Sequence, residues 1–287
     1  MPDLNTFQQY LEYEKNVIKD TGDILSLGFS SMNDPLGYSG LPNDTLLYCL
    51  SKAGTGKSYL VTNLIIKMME QNRKSVFLSY EMSYKKILDR ILQLVFERHF
   101  SDIPELIRNN ADMVRMRLQE KKFFDLVKIY TRPSDINGID EIMVKEKADI
   151  YFLDHLHLVR TEHNGIYEKT TAISNGLRDL KSKHSARIFA LVQLRRESYV
   201  KGQERIEAGA DLPGIESGRG SGDLEADCDY ALGLARPEVS INCKEAHKGQ
   251  IHGRYIKRRD SSRGESKVFV LHFNRVTSAL REEWHSK

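Results

Sequence analysis

A chain of 287 residues, 40% hydrophobic and 29% charged, holds one large α/β domain and is too short for two domains of ordinary size with linkers. No apolar stretch approaches the ~20 residues of a bilayer span, and Asp3, Glu12, Glu14 and Asp20 disfavour a secretory or transit leader, so the expectation is a cytoplasmic protein with no membrane partner. Cys49, Cys228 and Cys243 form no C-x-x-C pair, which points to reduced thiols rather than a disulfide framework or zinc site.

The chain opens with Leu4, Phe7, Leu11 and Val17/Ile18 at helical spacing, one apolar stripe on a polar helix, closed off by Asp20, Gly22 and Asp23. We expect residues 1–22 to form a helical arm that packs on its own core or on a neighbouring subunit, and residues 23–287 to form the main domain. Apolar runs at 46–50, 76–78, 127–130, 150–153 and 188–192 read as buried strands. Helix-length segments at 59–70, 84–97, 139–147 and 172–183 lie between most of them. This β-α alternation predicts a mainly parallel sheet flanked by helices. Past residue 230 the strands at 230–234, 254–256 and 268–272 follow without helices, so the sheet is expected to end in antiparallel hairpins.

The motif that carries chemistry is Ser51-Lys52-Ala53-Gly54-Thr55-Gly56-Lys57-Ser58, a Walker A loop whose first position is Ser in place of the usual Gly. It follows a predicted strand and opens a predicted helix, as a phosphate-cradling loop must. Ala53 to Ser58 would bind the nucleotide: Gly54 and Gly56 turn backbone N–H groups inward, Lys57 meets the β- and γ-phosphates, and the Ser58 hydroxyl ligates Mg²⁺. Asp154 ends the strand Ile150-Tyr151-Phe152-Leu153 and is the candidate second magnesium residue. Glu81 ends Phe77-Leu78-Ser79-Tyr80 at the same sheet edge and is the candidate base for the attacking water. Gln193, after the strand 188–192, offers an amide able to sense the γ-phosphate. His155 and His157 would share a side of a continuing strand, but no Cys or carboxylate stands at ligand spacing, so no metal site is expected there.

The order of these blocks resembles the DnaB-like replicative helicases over residues 20 to 275. The resemblance rests on Gly28-Phe29 through Gly40-Leu41-Pro42, the P-loop, Ser79-Tyr80-Glu81-Met82, Asp154-His155-Leu156-His157-Leu158, Gln193-Leu194-Arg195-Arg196-Glu197 and Gly222 to Asp229. It implies a RecA-like P-loop ATPase fold, ATP and Mg²⁺ as cofactors, and a hexameric ring of identical subunits with ATP between them. Within that ring it implies Glu81 as catalytic base, Asp154 on magnesium and Gln193 coupling nucleotide state to DNA. It further implies that Lys257 and Arg259, in Ile256-Lys257-Arg258-Arg259-Asp260, reach the neighbouring subunit's γ-phosphate. Residues two apart on a strand face one side, which leaves Arg258 facing away; a one-residue slip would exchange Arg258 into the role. Two stretches depart from the family: His157 in place of Gln, and Asp260-Ser261-Ser262-Arg263-Gly264 in place of an Asn-Gly-Pro turn. The family's amino-terminal primase-binding domain has no counterpart in these residues, so a free-standing motor similar to plasmid or phage helicases is expected, with a loader or primase left open as partner.

Single-stranded DNA is the expected substrate. Two segments would line the pore, residues 160–169 and a glycine-rich stretch carrying Arg195, Arg196, Lys201, Arg205 and Arg219. Tyr167 and Tyr199 are their aromatics, so backbone tracking is expected rather than base readout. From Lys244 to Lys267 eight basic residues stand against three acidic ones. A recombination ATPase and a non-unwinding assembly ATPase are the competing readings; the Ser-x-Glu-Met block and the Lys-x-Arg pair count against the first.

Overall fold

The computed structural model describes residues 24–36, 39–133, 135–194, 212–213, 224, 226–239, 247–259 and 266–282. The arm 1–22, Cys243 and the candidate DNA residues Arg195, Arg196, Lys201, Arg205 and Arg219 lie outside the described residues.

A two-stranded ribbon, β1 (Ile24–Leu25) with β2 (Leu41–Pro42), precedes β3 (Thr45–Lys52). The P-loop then leads into α1 (Lys57–Glu70), followed by β4 (Ser75–Ser79), α2 (Tyr84–Phe96), α3 (Ile103–Glu120) and β5 (Val127–Thr131). Next come α4 (Ile136–Glu146), β6 (Ile150–Asp154), α5 (Ile166–His184) and β7 (Arg187–Leu194). The chain closes with β8 (Tyr230–Ala235), β9 (Gln250–Arg258), β10 (Phe269–Phe273) and β11 (Leu280–Glu282). These form a nine-stranded sheet in the order β11-β10-β9-β8-β3-β7-β6-β4-β5. The strands from β8 to β5 are parallel, and β8, β9, β10 and β11 are linked by antiparallel pairings. The expected mixed architecture is present. Helix α3 has no counterpart among the elements expected from sequence: only Ile103, Val114 and Leu118 are buried, Leu106 and Ile107 pack partly against the core, and Met113 and Met116 are exposed among polar residues, so no continuous apolar stripe marks it.

Alternation along β3 explains the layering. Leu47 and Cys49 point to one face and Leu46, Tyr48 and Leu50 to the other, and all are buried because helices cover both sides. On the first face, α1 contributes Leu60, Val61, Leu64 and Ile65, and α2 contributes Ile87 and Ile91. On the second, α4 contributes Ile139 and Met143, and α5 contributes Ile173 and Leu177. Local chemistry sets the helix starts and stops. The Asp135 carboxylate accepts from Gly138 N at 2.9 Å and caps α4, while Glu97, Lys147 and Ser185 end α2, α4 and α5 in the left-handed conformation.

Candidate nucleotide-binding and hydrolysis site

Strand order and register bring the predicted residues to one edge of the sheet. Ser51 of β3 pairs with Gln193 of β7, and Ser79 of β4 pairs with Asp154 of β6, so the carboxyl ends of β3, β7, β6 and β4 open onto a shared crevice. Beyond β3 the backbone turns through Gly54 at φ +80° and Gly56 at φ +104°, conformations that a side chain strains. An added Cβ at Gly56 would also sit 3.1 Å from Ile251 Cδ1 of β9, which backs the loop.

Lys57 begins α1 and folds back over the loop. Its Nζ donates to Lys52 O at 2.9 Å, Ser51 Oγ at 3.0 Å and Ser51 O at 3.2 Å, so the ammonium is held above the turn by the loop's own oxygens. The serine that replaces the usual first glycine thus contributes a direct contact to Lys57. Burial pulls the Lys57 pKa below the ordinary lysine value, opposed by Cys49, Asp154 and Glu81. Ser58, one residue on, donates from Oγ to Asp154 Oδ2 at 2.8 Å, joining the P-loop helix to the end of β6. Asp154 is 1% exposed and its Oδ1 has no hydrogen-bond partner. Burial raises its carboxyl pKa, Ser58 opposes that rise by hydrogen bonding, and the Glu81 charge adds to it.

Glu81 lies two residues past β4, its side chain 56% exposed and facing the crevice, with Oε2 4.0 Å from His155 Nε2. Burial lowers the His155 pKa, so the imidazole beside Glu81 is neutral near pH 7. Strand β6 stops at Asp154, and 156–158 form a 3-10 turn, so His155 and His157 are not successive residues of one strand face; their rings meet edge-on at 6.1 Å. Among the described residues no group of three or more His, Cys, Asp or Glu could hold a metal ion.

Arg90 of α2 was missed from sequence. Its guanidinium lies 4.4 Å from the centre of the Tyr59 ring, at the start of α1, and its charge lowers the Asp154 pKa. Nη1 is buried without a hydrogen-bond partner, which leaves a donor next to the crevice. The available signal was an arginine between Ile87 and Ile91, both fully buried on a helix that follows Glu81.

The remaining candidates lie elsewhere. Lys257 Nζ donates to Cys228 O at 2.7 Å and Arg259 Nη1 to Asp229 Oδ1 at 2.8 Å, whereas Arg258 Nη1 reaches Pro35 O at 3.1 Å. Lys257 and Arg259 therefore converge on one segment and Arg258 turns elsewhere. In the register Leu47↔Tyr230↔Arg258 this pair stands at the amino-terminal end of the parallel strands, the end opposite the P-loop. Of the expected pore segment 160–169, residues from Ile166 onward are not loop but the first turn of α5, because Gly165 is its cap position; residues 162–168 are exposed.

The sequence profile of the DnaB-like helicase C terminal domain matches residues 25–280. The chain belongs to this family. A "Probable plasmid replicative DNA helicase" of Chlamydia trachomatis serovar L2 is 26% identical over 270 residues, covering 87% of this chain and 55% of that protein. The "Replicative DNA helicase DnaB" of Helicobacter pylori strain J99 is 25% identical over 231 residues, 77% of this chain and 45% of that protein. This DnaB-like chain thus spans about half the length of the curated relatives it matches. Among solved structures, the "ATPase Domain of G40P" superposes with a TM-score of 0.78 at 19% identity, over 97% of this chain and 99% of that one. A DnaB-like replicative helicase described with its interactions with primase gives 0.75 at 19% identity, over 96% and 66%. Both likenesses establish the RecA-like fold. No helix among the described residues is long and apolar enough to cross a membrane.

Proposed function

We propose that this chain is the ATP-driven motor of a ring-forming replicative DNA helicase that holds one DNA strand and translocates along it 5′ to 3′. The observation that carries this reading is the convergence of Lys57, the Ser58–Asp154 pair and Glu81 at one sheet edge, in a member of the DnaB-like family. The relatives' names support the replicative role.

The residues present fit magnesium, because Ser58 Oγ and the unpartnered Asp154 Oδ1 are hard oxygen donors of the kind that ion takes. An ion held there would supply positive charge to offset that of the ATP phosphates and would favour the ionised form of Asp154. The turn through Gly54 and Gly56 would present backbone N–H groups to phosphate oxygens, and Lys57 would exchange its loop partners for the phosphates. Glu81 takes the proton of the attacking water. Gln193, beside Ser51 on the adjoining strand, reports occupancy to the segment that follows β7. Lys257 and Arg259 cannot serve their own site. Leu47 lies five residues before Lys52, about 17 Å along β3 at the usual strand rise, and this separation exceeds the reach of an arginine. On this reading the pair acts on a neighbouring subunit in a head-to-tail assembly, which closes into the hexameric ring that the family resemblance implies.

ATP hydrolysis and opening of a forked duplex, with and without single-stranded DNA, test this for the native chain and Glu81→Gln. DNA-stimulated hydrolysis with Glu81-dependent unwinding is expected. Hydrolysis that persists without unwinding would move a recombination or assembly ATPase ahead of it.

A further inference from the structure

The block Ala226-Asp227-Cys228-Asp229 was singled out by the sequence but has no part in the chemistry described so far. It lies just before β8, and both members of the Lys-x-Arg pair end on it: Lys257 Nζ on Cys228 O and Arg259 Nη1 on Asp229 Oδ1. The Arg259 N–H also donates to Asp229 O at 2.9 Å, so the arginine is tied to this residue by main chain and side chain alike. Asp229 is in turn fixed to the middle of the molecule. Its Oδ2 accepts from Leu46 N at 2.8 Å and stands 2.9 Å from Lys181 Nζ of α5, and its own N–H donates to Leu46 O at 2.9 Å. One α-helical turn before Lys181, Arg178 pairs with Asp227, so α5 holds both acids of the block.

The exposures are opposed. The Asp229 and Lys181 side chains are 9% and 7% exposed, whereas Arg259 is 52% exposed. A pair with one half-exposed arm contributes little to stability, so its main consequence is where the guanidinium points. Among the described residues the carboxylate takes one of the five guanidinium N–H donors, and the arginine side chain is half-exposed. Lys181 supplies the positive charge that Asp229 needs in a buried place when Arg259 turns outward.

We propose that Asp229 is a positioning residue for hydrolysis in the neighbouring subunit: its carboxylate, held by Leu46 N and Lys181, sets the orientation in which Arg259 is presented across the subunit boundary. This rests on the reading of Arg259 as the residue that acts on the neighbour.

The discriminating variant is Asp229→Asn. The amide oxygen can still accept from Leu46 N and Lys181, but the amide nitrogen then faces the Arg259 donors and the two repel. In the full-length oligomer with single-stranded DNA, Arg259→Ala is expected to lower the kcat for ATP by about 10³-fold. D229N is expected to lower kcat by on the order of 10- to 100-fold with the KM for ATP within about twofold, as misplacement of a reacting group does. Added to R259A, D229N should lower kcat no further. Rings mixed from D229N and E81Q subunits should regain activity, since an E81Q subunit offers a well-placed Arg259 to a D229N subunit with an intact Glu81. Should D229N fail to fold, Asp229→Glu keeps the charge and lengthens the arm, and the same non-additivity and mixing rescue are expected of it. Additive losses in the double variant, or no rescue on mixing while R259A is impaired, would overturn the proposal and leave the role of Arg259 intact. Full activity in R259A would instead overturn the reading on which it rests.

Discussion

At the scale of single residues, the groups that on the proposed reading would bind ATP are distinct from those that would react with it. Lys57 is held by three oxygens of its own loop and would trade them for phosphate, a charge-assisted contact worth roughly 1.5–3 kcal/mol. Lys57→Ala is therefore expected to weaken ATP binding by about 10- to 100-fold, read by a fluorescent nucleotide titration. Glu81, half-exposed at the crevice, makes no contact that the fold depends on. Glu81→Gln should leave that titration unchanged and slow turnover by on the order of 10²- to 10⁴-fold. His252 marks a different kind of residue. Burial, with His247 and His272 adding, holds its pKa at about 4 against an ordinary 6.5, and Gln250 Oε1 lies 2.8 Å from its Nε2. The folded-state pKa is depressed, so the unfolded chain takes up the proton first as pH falls. Stability is then full above about pH 6.5 and declines towards about pH 4. His252→Gln should flatten that part of a plot of Tm against pH, and an unchanged slope would remove His252 from the cause.

Elements show why some glycines were readable and others were not. Gly54 and Gly56 announce themselves by their place before Lys57, and the structure finds both at positive φ. Gly253 sits inside β9 with no motif around it, yet an added Cβ would meet Phe269 Cζ of β10 at 2.2 Å. Gly253→Ala should displace the buried Phe269 ring that packs over it and cost about 1–3 kcal/mol, seen as a lower urea midpoint. The cross-strand neighbour that forbids a side chain is fixed by the register Gly253↔Phe269, which depends on the whole hairpin. Strand β9 shows the same limit in its length: Arg254 to Ile256 was legible as a strand, whereas of the flanking residues of Gln250–Arg258 only Ile251 carries an apolar side chain, and they are strand because β8 and β10 pair with them.

For the whole molecule, the Lys257–Arg259 pair stands at the end of the sheet opposite the P-loop, and on the proposed reading the single chain would lack it at its own site. Its DNA contacts are expected to be to the backbone, through Arg195, Arg196, Lys201, Arg205 and Arg219. Binding to a labelled oligonucleotide, followed by anisotropy, should therefore weaken linearly in log–log against salt, with a slope of about −0.7 per phosphate contacted. Arg205→Ala should make that slope shallower by roughly one contact and weaken binding alike on different base sequences. A sequence-dependent loss would argue for base readout instead.

The sequence by itself determined the alternation of strands and helices, the P-loop, and the carboxylates at the ends of β4 and β6, since local periodicity and short motifs encode each of these. Tertiary structure alone decided what lies beside what. The Arg90 charge came to act on Asp154, and Asp227–Asp229 came to hold the Lys-x-Arg pair, because partners separated by dozens of residues meet only through strand order and register. Those pairings follow from which strands adjoin in the sheet, a long-range choice set by burial of both its faces, and no local pattern records it.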